Sequence, residues 1–177
     1  MSKGNEECNN MLDGSISKSI YEHKIRVRVC GVLIKENSIL MLKHAGIGSG
    51  GYLWSPPGGG LEFEENAEET IVKEFKEETG LTVAVEHFLF TNEYRSDRHH
   101  AIELFFKVKY IDGEATLGSD PEVPEEEQIL KEIKWLNFSE ISEMNPRLLH
   151  NAFHHLSDPN KIVELQGFLK FEDISIK

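Results

Sequence analysis

The chain has 177 residues, of which 39% are hydrophobic and 28% charged, and its formal net charge is −12. This composition is that of a soluble globular protein with room for one domain of ordinary size. The negative charge argues against a nucleic-acid polymer as partner, because such a partner needs many cationic contacts. No apolar stretch is long enough to span a bilayer, and the N-terminal residues lack the apolar core of a signal peptide. A cytoplasmic location without a membrane partner is therefore expected.

The first third of the chain predicts a loose tail followed by a hairpin. Residues 1–20 are polar and suit a flexible tail. Residues 24–35 suit a strand, 36–38 a turn and 39–44 its antiparallel partner, before a glycine-rich loop over 46–51. The two cysteines, Cys8 in the tail and Cys30 in the strand, make neither a disulfide framework nor a metal cluster. Cys30 is expected to be a core residue.

Residues 59–81 are exceptionally acidic, with eight glutamates and only two lysines. Carboxylates held close together repel one another, and a divalent cation is the group best suited to offset that repulsion. The alternative is a solvated acidic helix face, which many glutamate runs form. The glycines at 58–60, which allow tight backbone geometry and close approach of a ligand, favour a site.

A helix is predicted over residues 67–79 of this segment. Asn66 suits the N-cap, Glu69 completes a capping box, and Gly80 suits the left-handed residue that ends a helix. At about 100° per residue, one arc of this helix carries Glu74, Glu77 and Glu78. The neighbouring arc carries Ile71, Val72 and Phe75. The first arc is predicted to bind metal and the second to pack into the core.

Strands are predicted after the helix at 81–85, 88–94, 102–110 and 133–136, with a turn at 112–113 and an acidic loop at 118–127. Two helical stretches follow at 137–143 and 146–156. Residues 161–177 are apolar enough to pack on the domain or on a second copy, so a homodimer is left open. Between two of the strands lie Arg95, Arg98, His99 and His100, which either meet substrate phosphates or form an ordinary exposed loop.

The spacing in the acidic segment resembles the Nudix box, G-x5-E-x7-R-E-U-x-E-E-x-G-U, where U is a bulky apolar residue. The matching positions are Gly59, Glu65, Glu74, Phe75, Glu77, Glu78, Gly80 and Leu81. Lys73 stands where the family has arginine. The resemblance covers about residues 24–142. We therefore expect a single domain over 21–177, with residues 143–177 as a C-terminal extension.

The resemblance implies an α/β (α+β) fold in which a mixed sheet lies between helices. It also implies a metal-dependent hydrolase that cleaves the diphosphate linkage of a nucleoside diphosphate joined to another group, as in nucleoside triphosphates, nucleotide sugars and dinucleotides. Glu74, Glu77 and Glu78 would hold Mg²⁺, with Mn²⁺ as the alternative ion and Glu65 nearby. The general base is left open between the glutamates of the box and those at 125–127. The catalytic candidates are Glu74, Glu77, Lys73 and Glu127, and the substrate-binding candidates are Gly59, Gly60, Arg95 and Arg98.

Two alternative functions remain for a chain with this resemblance. A Nudix-fold isomerase of isopentenyl diphosphate uses a cysteine, and neither cysteine here lies in a suitable context. A non-catalytic nucleotide-binding module would show eroded carboxylates, whereas the acidic set is complete. The substrate is not defined, because the proline that marks ADP-ribose hydrolases about fifteen residues past the box is replaced by Ser96. Tyr94 also lies too close to the box to match the tyrosine of diadenosine-polyphosphate hydrolases.

Overall fold

The computed structural model describes residues 24–47, 50–96, 99–119, 128–154 and 156–172. The predicted N-terminal tail, Arg98 and Glu127 lie outside these ranges. The elements in chain order are β1 (Ile25–Lys35), β2 (Ser38–Ala45), β3 (Tyr52–Ser55), α1 (Ala67–Thr79), β4 (Thr82–Arg95), β5 (His100–Asp112), β6 (Leu130–Asn137), α2 (Phe138–Glu143) and β7 (Gly167–Glu172). Short 3-10 turns cover Pro146–Leu148, Asn151–Phe153 and Pro159–Glu164.

The described strands form one mixed sheet in the order β3-β2-β1-β5-β4-β7, and β6, which is outside this order, also pairs with β2. The pairs β1–β5 and β4–β7 are parallel and the others antiparallel. One apolar cluster joins a face of the sheet to α1, and a second joins the sheet to α2 and the 3-10 turns. The predicted α+β fold, a mixed sheet between helices, is confirmed. No described helix has the length and apolar character needed to cross a membrane.

Helix α1 has the predicted bounds and caps. The Asn66 side chain accepts hydrogen bonds from the N–H groups of Glu68 and Glu69, and Glu69 accepts one from the N–H of Asn66 at 3.1 Å. Gly80 ends the helix at a φ of 69°. Ile71 and Phe75 are fully buried, but Val72 is 37% exposed. The prediction that Val72 packs into the core is wrong, because the helix contacts the sheet along a narrow i, i+4 stripe.

Strand β4 joins the two strands predicted at 81–85 and 88–94 into one. The register of its pairing with β5 shifts near His87 and again between Phe88 and Phe90, so bulges absorb the break in the sequence pattern. Strand β3 was not predicted. It pairs with β2 and carries the chain from the glycine-rich loop to the glycines at 58–60.

The C-terminal region differs in part from the sequence prediction. Helix α2 lies within the helical stretch predicted at 137–143 and has Asn137 as its N-cap, but residues 146–153 contain two 3-10 turns where a longer helical stretch was predicted. Leu149 is extended between the turns because the next N–H, that of His150, donates to the carbonyl of Trp54 at 2.9 Å. Further on, Ile162 is fully buried and β7 pairs with β4, so the described part of this segment packs on the sheet, while packing on a second copy stays a prediction.

Candidate active site

The glycine segment that precedes α1 is held along β1 by backbone hydrogen bonds. Gly31 donates to the carbonyl of Pro57, Val29 donates to that of Gly59, and Leu61 donates to that of Val27, all at 2.9–3.0 Å. Gly58 adopts a φ of 152°, and a Cβ there would overlap the Val29 carbonyl oxygen. Only glycine therefore fits this close approach of two backbone segments.

Two carboxylates of α1 meet this glycine segment. The Gly58 N–H donates to Oε2 of Glu78 at 2.9 Å. One helical turn earlier, the Glu74 carboxylate lies against Gly59, where a Cβ would overlap it. Glu78 is buried and Glu74 half-buried. The structure thus brings together three sequence-predicted site residues, Gly59, Glu74 and Glu78, with Gly58 as a further member.

The C-terminal end of α1 is bounded by the chain that follows β5. Thr116 donates its N–H to the carbonyl of Thr79 at 3.0 Å, and Gly118 donates to that of Glu78 at 2.8 Å. A Cβ at Gly118 would overlap the Glu77 carbonyl. The acidic segment at 120–127 follows immediately after this contact but lies outside the described residues. Glu77 itself is half-buried on the same helix.

Lys73 pairs with Glu65. Its Nζ lies 2.8 Å from Oε1 of Glu65, whose other oxygen accepts a 3.0 Å hydrogen bond from the Thr70 hydroxyl. The hydrogen bond from Lys73 lowers the pKa of Glu65, and the same bond raises the pKa of Lys73, with smaller contributions from Glu77 and Glu74. Lys73 therefore acts first on Glu65, and only at longer range on the glutamates expected to bind metal.

Two further substrate-binding candidates, Gly60 and Arg95, lie in the described part of the chain. Gly60 faces Arg26, whose Nη2 would be 2.7 Å from a Cβ placed there. Arg95 is exposed at the end of β4, in register with His100, and His100 bonds to Glu93 at 2.9 Å. His100 is in turn the register partner of Ile25 on β1. Ile25 lies two residues before Val27, whose carbonyl accepts the hydrogen bond from Leu61 of the glycine segment. The predicted roles of Arg95 and Arg98 stay predictions.

A buried polar cluster lies beside the glycine segment and was not predicted. Arg28, Glu103 and Asn92 are neighbours across β1, β5 and β4, and His150 reaches them from the C-terminal region. Burial alone would raise the pKa of Glu103, but His150, Arg28 and Asn92 lower it to about 2. A signal existed in the sequence, since Arg28 and Glu103 each interrupt an apolar strand pattern where a charge needs a partner.

The acidic set has the chemistry that a magnesium site needs. Among the described residues, no three His, Cys, Asp or Glu side chains form a group that could hold a metal ion unaided. Mg²⁺ does not require such a cage, because it commonly binds one or two carboxylates, several waters and substrate phosphates. Glu74 and Glu77 supply hard oxygen donors one turn apart, and the missing Cβ of Gly59 lets the Glu74 carboxylate lie against the backbone. These residues therefore fit the ion.

Comparison with known proteins gives the family. A family model described as the NUDIX domain matches residues 24–157. An ADP-ribose pyrophosphatase of Methanocaldococcus jannaschii is 38% identical over 96 residues, which are 53% of this chain and 56% of that protein. A MutT-like protein of Streptomyces ambofaciens is 30% identical over 118 residues, 66% of this chain and 67% of that protein. The chain belongs to the Nudix family, and the resemblance seen in the sequence is confirmed.

Solved structures agree in fold. The crystal structure of an ADP-ribose pyrophosphatase from Streptococcus suis superposes with a TM-score of 0.57 at 17% identity, covering 81% of this chain and 98% of that one. At this identity the likeness concerns the fold alone. The match to the Methanocaldococcus jannaschii protein spans little more than half of that protein's length.

Proposed function

We propose that this chain is a divalent-metal-dependent hydrolase that cleaves the diphosphate linkage of a nucleoside diphosphate joined to another group. The observation that carries the proposal is the seating of two α1 carboxylates on consecutive glycines, Glu78 on the Gly58 N–H and Glu74 against Gly59. A solvated acidic face would leave such carboxylates in water. Here one is buried and the other is half-buried against the glycine backbone.

Glu74 and Glu77 would hold the metal, with Glu78 and Glu65 completing the acidic surroundings. When bound, the ion polarises phosphoryl oxygens and lowers the pKa of the attacking water. The Glu74 carboxylate lies next to a backbone segment that is fixed by three hydrogen bonds to β1, so its position is set before substrate arrives. Lys73 restrains Glu65 and reduces repulsion within the set.

The proton of the attacking water needs an acceptor. A glutamate of the box, Glu74 or Glu77, can serve if it is not engaged by the ion, and Glu127 is the candidate from the acidic segment that follows Gly118. Replacing each of the three by glutamine and measuring the pH dependence of kcat distinguishes them. Loss of the base removes the acidic limb of the profile, whereas loss of a ligand changes the Mg²⁺ requirement.

The described residues give no support to the isomerase alternative, which needs a reactive cysteine. Cys30 is buried in the apolar cluster, and burial raises the pKa of its thiol, so it is an inert core residue. Cys8 lies outside the described residues.

The relatives' names suggest where to begin a substrate search. One is called an ADP-ribose pyrophosphatase and the other MutT-like, so the panel includes ADP-ribose, nucleotide sugars, dinucleotides and nucleoside triphosphates. We expect the full chain with Mg²⁺ to hydrolyse at least one class, with products that show cleavage between two phosphorus atoms. EDTA should abolish the activity and added Mg²⁺ restore it. Turnover that persists in excess EDTA, or none on the whole panel, would contradict the proposal.

A further inference from the structure

Arg28 of β1 contacts the glycine segment at Gly58, the residue that also contacts Glu78 of α1. Its Nη2 donates to the carbonyl of Gly58 at 3.2 Å, while the N–H of the same residue donates to Glu78 at 2.9 Å. Gly58 is therefore held by a cation at its carbonyl and by an anion at its N–H. The two bonds link β1 to α1 through a single glycine.

Arg28 is in turn placed by a cluster of buried side chains. Glu103 is its register partner on β5, and it accepts a 2.6 Å hydrogen bond from Asn92 and lies 3.1 Å from Nε2 of His150. Asn92 also donates to the side-chain oxygen of Asn151 at 3.1 Å. His150 and Asn151 thus tie the C-terminal 3-10 turns to β5 and β4, and β5 is the neighbour of the strand that carries Arg28.

The charges around Arg28 are arranged in two groups. Burial disfavours its charge, yet the anionic groups around it, including Glu103, Glu78 and Glu74, raise the pKa of Arg28 above its ordinary value. The guanidinium is therefore close enough to the buried Glu103 and to the two carboxylates of α1 that meet the glycines to interact with their charges. A permanent cation here offsets part of the repulsion within the acidic set.

The cluster is not arranged for stability alone. Nε of Arg28 is buried and has no hydrogen-bond partner among the described residues, and the same is true of Oδ1 of Asn92. A buried polar group without a partner destabilises the folded state, and a protein with an apolar side chain at such a position is often no less stable. Retaining an arginine at this cost is easier to understand if it has a task beyond folding.

We propose that Arg28 is a positioning residue for the metal-binding face of α1. By fixing the Gly58 carbonyl it aims the Gly58 N–H at Glu78 and keeps Gly59 beneath Glu74, and Glu103 holds Arg28 in that place. This inference rests on the proposed function, since it concerns the same carboxylates. It adds a residue outside the box, on a strand that precedes it, to the determinants of metal affinity.

The test compares Arg28→Met and Arg28→Lys with the matched control Lys35→Met, an exposed cation at the far end of the same strand. Mn²⁺ binding to the full chain is measured by electron paramagnetic resonance, kcat and the half-saturating Mg²⁺ concentration by activity, and Tm by thermal unfolding. Arg28→Met should weaken Mn²⁺ binding at least about fivefold and lower kcat at least about tenfold. Arg28→Lys should recover part of both losses, because the charge remains while the planar fork is lost. Lys35→Met should match wild type.

A change of Tm alone, with Mn²⁺ binding and kcat of folded Arg28→Met equal to wild type, would overturn the inference. If Arg28→Met does not fold, the variants Arg28→Lys and Glu103→Gln test the inference in its place. Each should raise the half-saturating Mg²⁺ concentration, and wild-type values in both would also overturn it. The proposed function fails separately, by absence of turnover in the wild type, and weakened Mn²⁺ binding in Arg28→Met would then still support the positioning role.

Discussion

The carboxylate of Glu78 accepts a 2.9 Å hydrogen bond from the backbone N–H of Gly58, twenty residues earlier in the chain. Glu74, one helical turn before Glu78, lies against the next glycine, Gly59. Two consecutive glycines thus contact two carboxylates that are four residues apart on a helix. This pairing explains why the glycines and the glutamates must occur at a fixed separation, since a shift of one residue in either would separate both pairs.

The two glycines should respond differently to alanine. A Cβ at Gly59 would meet only the far end of the Glu74 side chain, which can move, so Gly59→Ala should fold normally. Displacement of the Glu74 carboxylate should nevertheless lower kcat at least about a hundredfold, as loss of a preorganised charged group does. A Cβ at Gly58 would meet the Val29 backbone, and Gly58→Ala should therefore lower Tm as well. Activity assays and thermal unfolding of the two purified variants distinguish these outcomes. Wild-type kcat in Gly59→Ala would show that Glu74 has no role at this place.

Glu77 provides the most direct test of the acidic face. It is half-buried on the same side of α1 as Glu74. Glu77→Gln should leave Tm unchanged and lower kcat at least about a hundredfold, because removing a metal ligand removes stabilisation of the charge that develops in the transition state. Glu68→Gln is the matched control, since Glu68 is exposed in the first turn of the same helix. Equal kcat of Glu77→Gln and Glu68→Gln would mean that the acidic face of α1 is a solvated surface without a role in catalysis.

Lys73 occupies the position where the family pattern has arginine, and its contact with Glu65 defines what a substitution changes. Lys73→Ala should lower kcat by about tenfold or more, whereas Lys73→Arg should keep or raise it, because a planar fork can bind both oxygens of a carboxylate. Tm should change little in either variant, since half-exposed ion pairs contribute little to stability. In a double-mutant cycle with Glu65→Gln, the two losses should not add. Additive losses would mean that Lys73 acts on other groups.

The sequence predicted those parts of the molecule that depend on local chemistry. The bounds of α1 follow from Asn66, Glu69 and Gly80, whose side-chain and backbone preferences act within one turn, and they agree with the structure. The seating of Glu78 on Gly58 could not be read in this way, because it depends on how β1 brings the glycine segment to the helix.

The features that the sequence analysis predicted wrongly or did not predict also depend on long-range contacts. Leu149 and His150 carry no strong signal against a helix, and the bond from His150 to the Trp54 carbonyl decides their conformation. The cluster around Glu103 joins residues from β1, β4, β5 and the C-terminal region, so no single segment of the sequence contains it. Val72 was misplaced because the width of the buried stripe depends on the surface on which the helix packs.

Arg95 is the arginine of the Arg/His loop that lies within the described residues, and its role in substrate binding can be tested. It is exposed at the end of β4, so Arg95→Ala should leave Tm unchanged. If it meets a phosphate, KM should rise at least about threefold with little change in kcat, as expected for loss of one charge-assisted contact. Lys109→Ala, which removes an exposed cation near the other end of the sheet, is the control. An unchanged KM on the best substrate would support the view that this is an ordinary exposed loop.

His44 should give the protein a pH-dependent stability that is separate from catalysis. It is buried, with its Nδ1 3.3 Å from the Ser55 hydroxyl, and burial together with the nearby Arg28 lowers its pKa from 6.5 to about 4. Between these two values the unfolded chain binds a proton at this histidine and the folded chain does not, so the free energy of unfolding rises with pH across that window. The expected contribution, fully present above pH 6.5 and lost by about pH 4, is roughly 3 kcal/mol.

The measurement is urea unfolding of wild type and His44→Gln at intervals from pH 4 to 8. Other groups titrate in the same range, so the quantity of interest is the difference between the two curves. Glutamine removes the titration but keeps a polar group that can bond to Ser55, and any loss of packing should shift its curve by a constant. The gap between wild type and variant should therefore narrow as pH falls from 6.5 to 4 and stay constant above 7. Parallel curves over the whole range would mean that His44 accepts a proton in the folded protein as readily as in the unfolded chain.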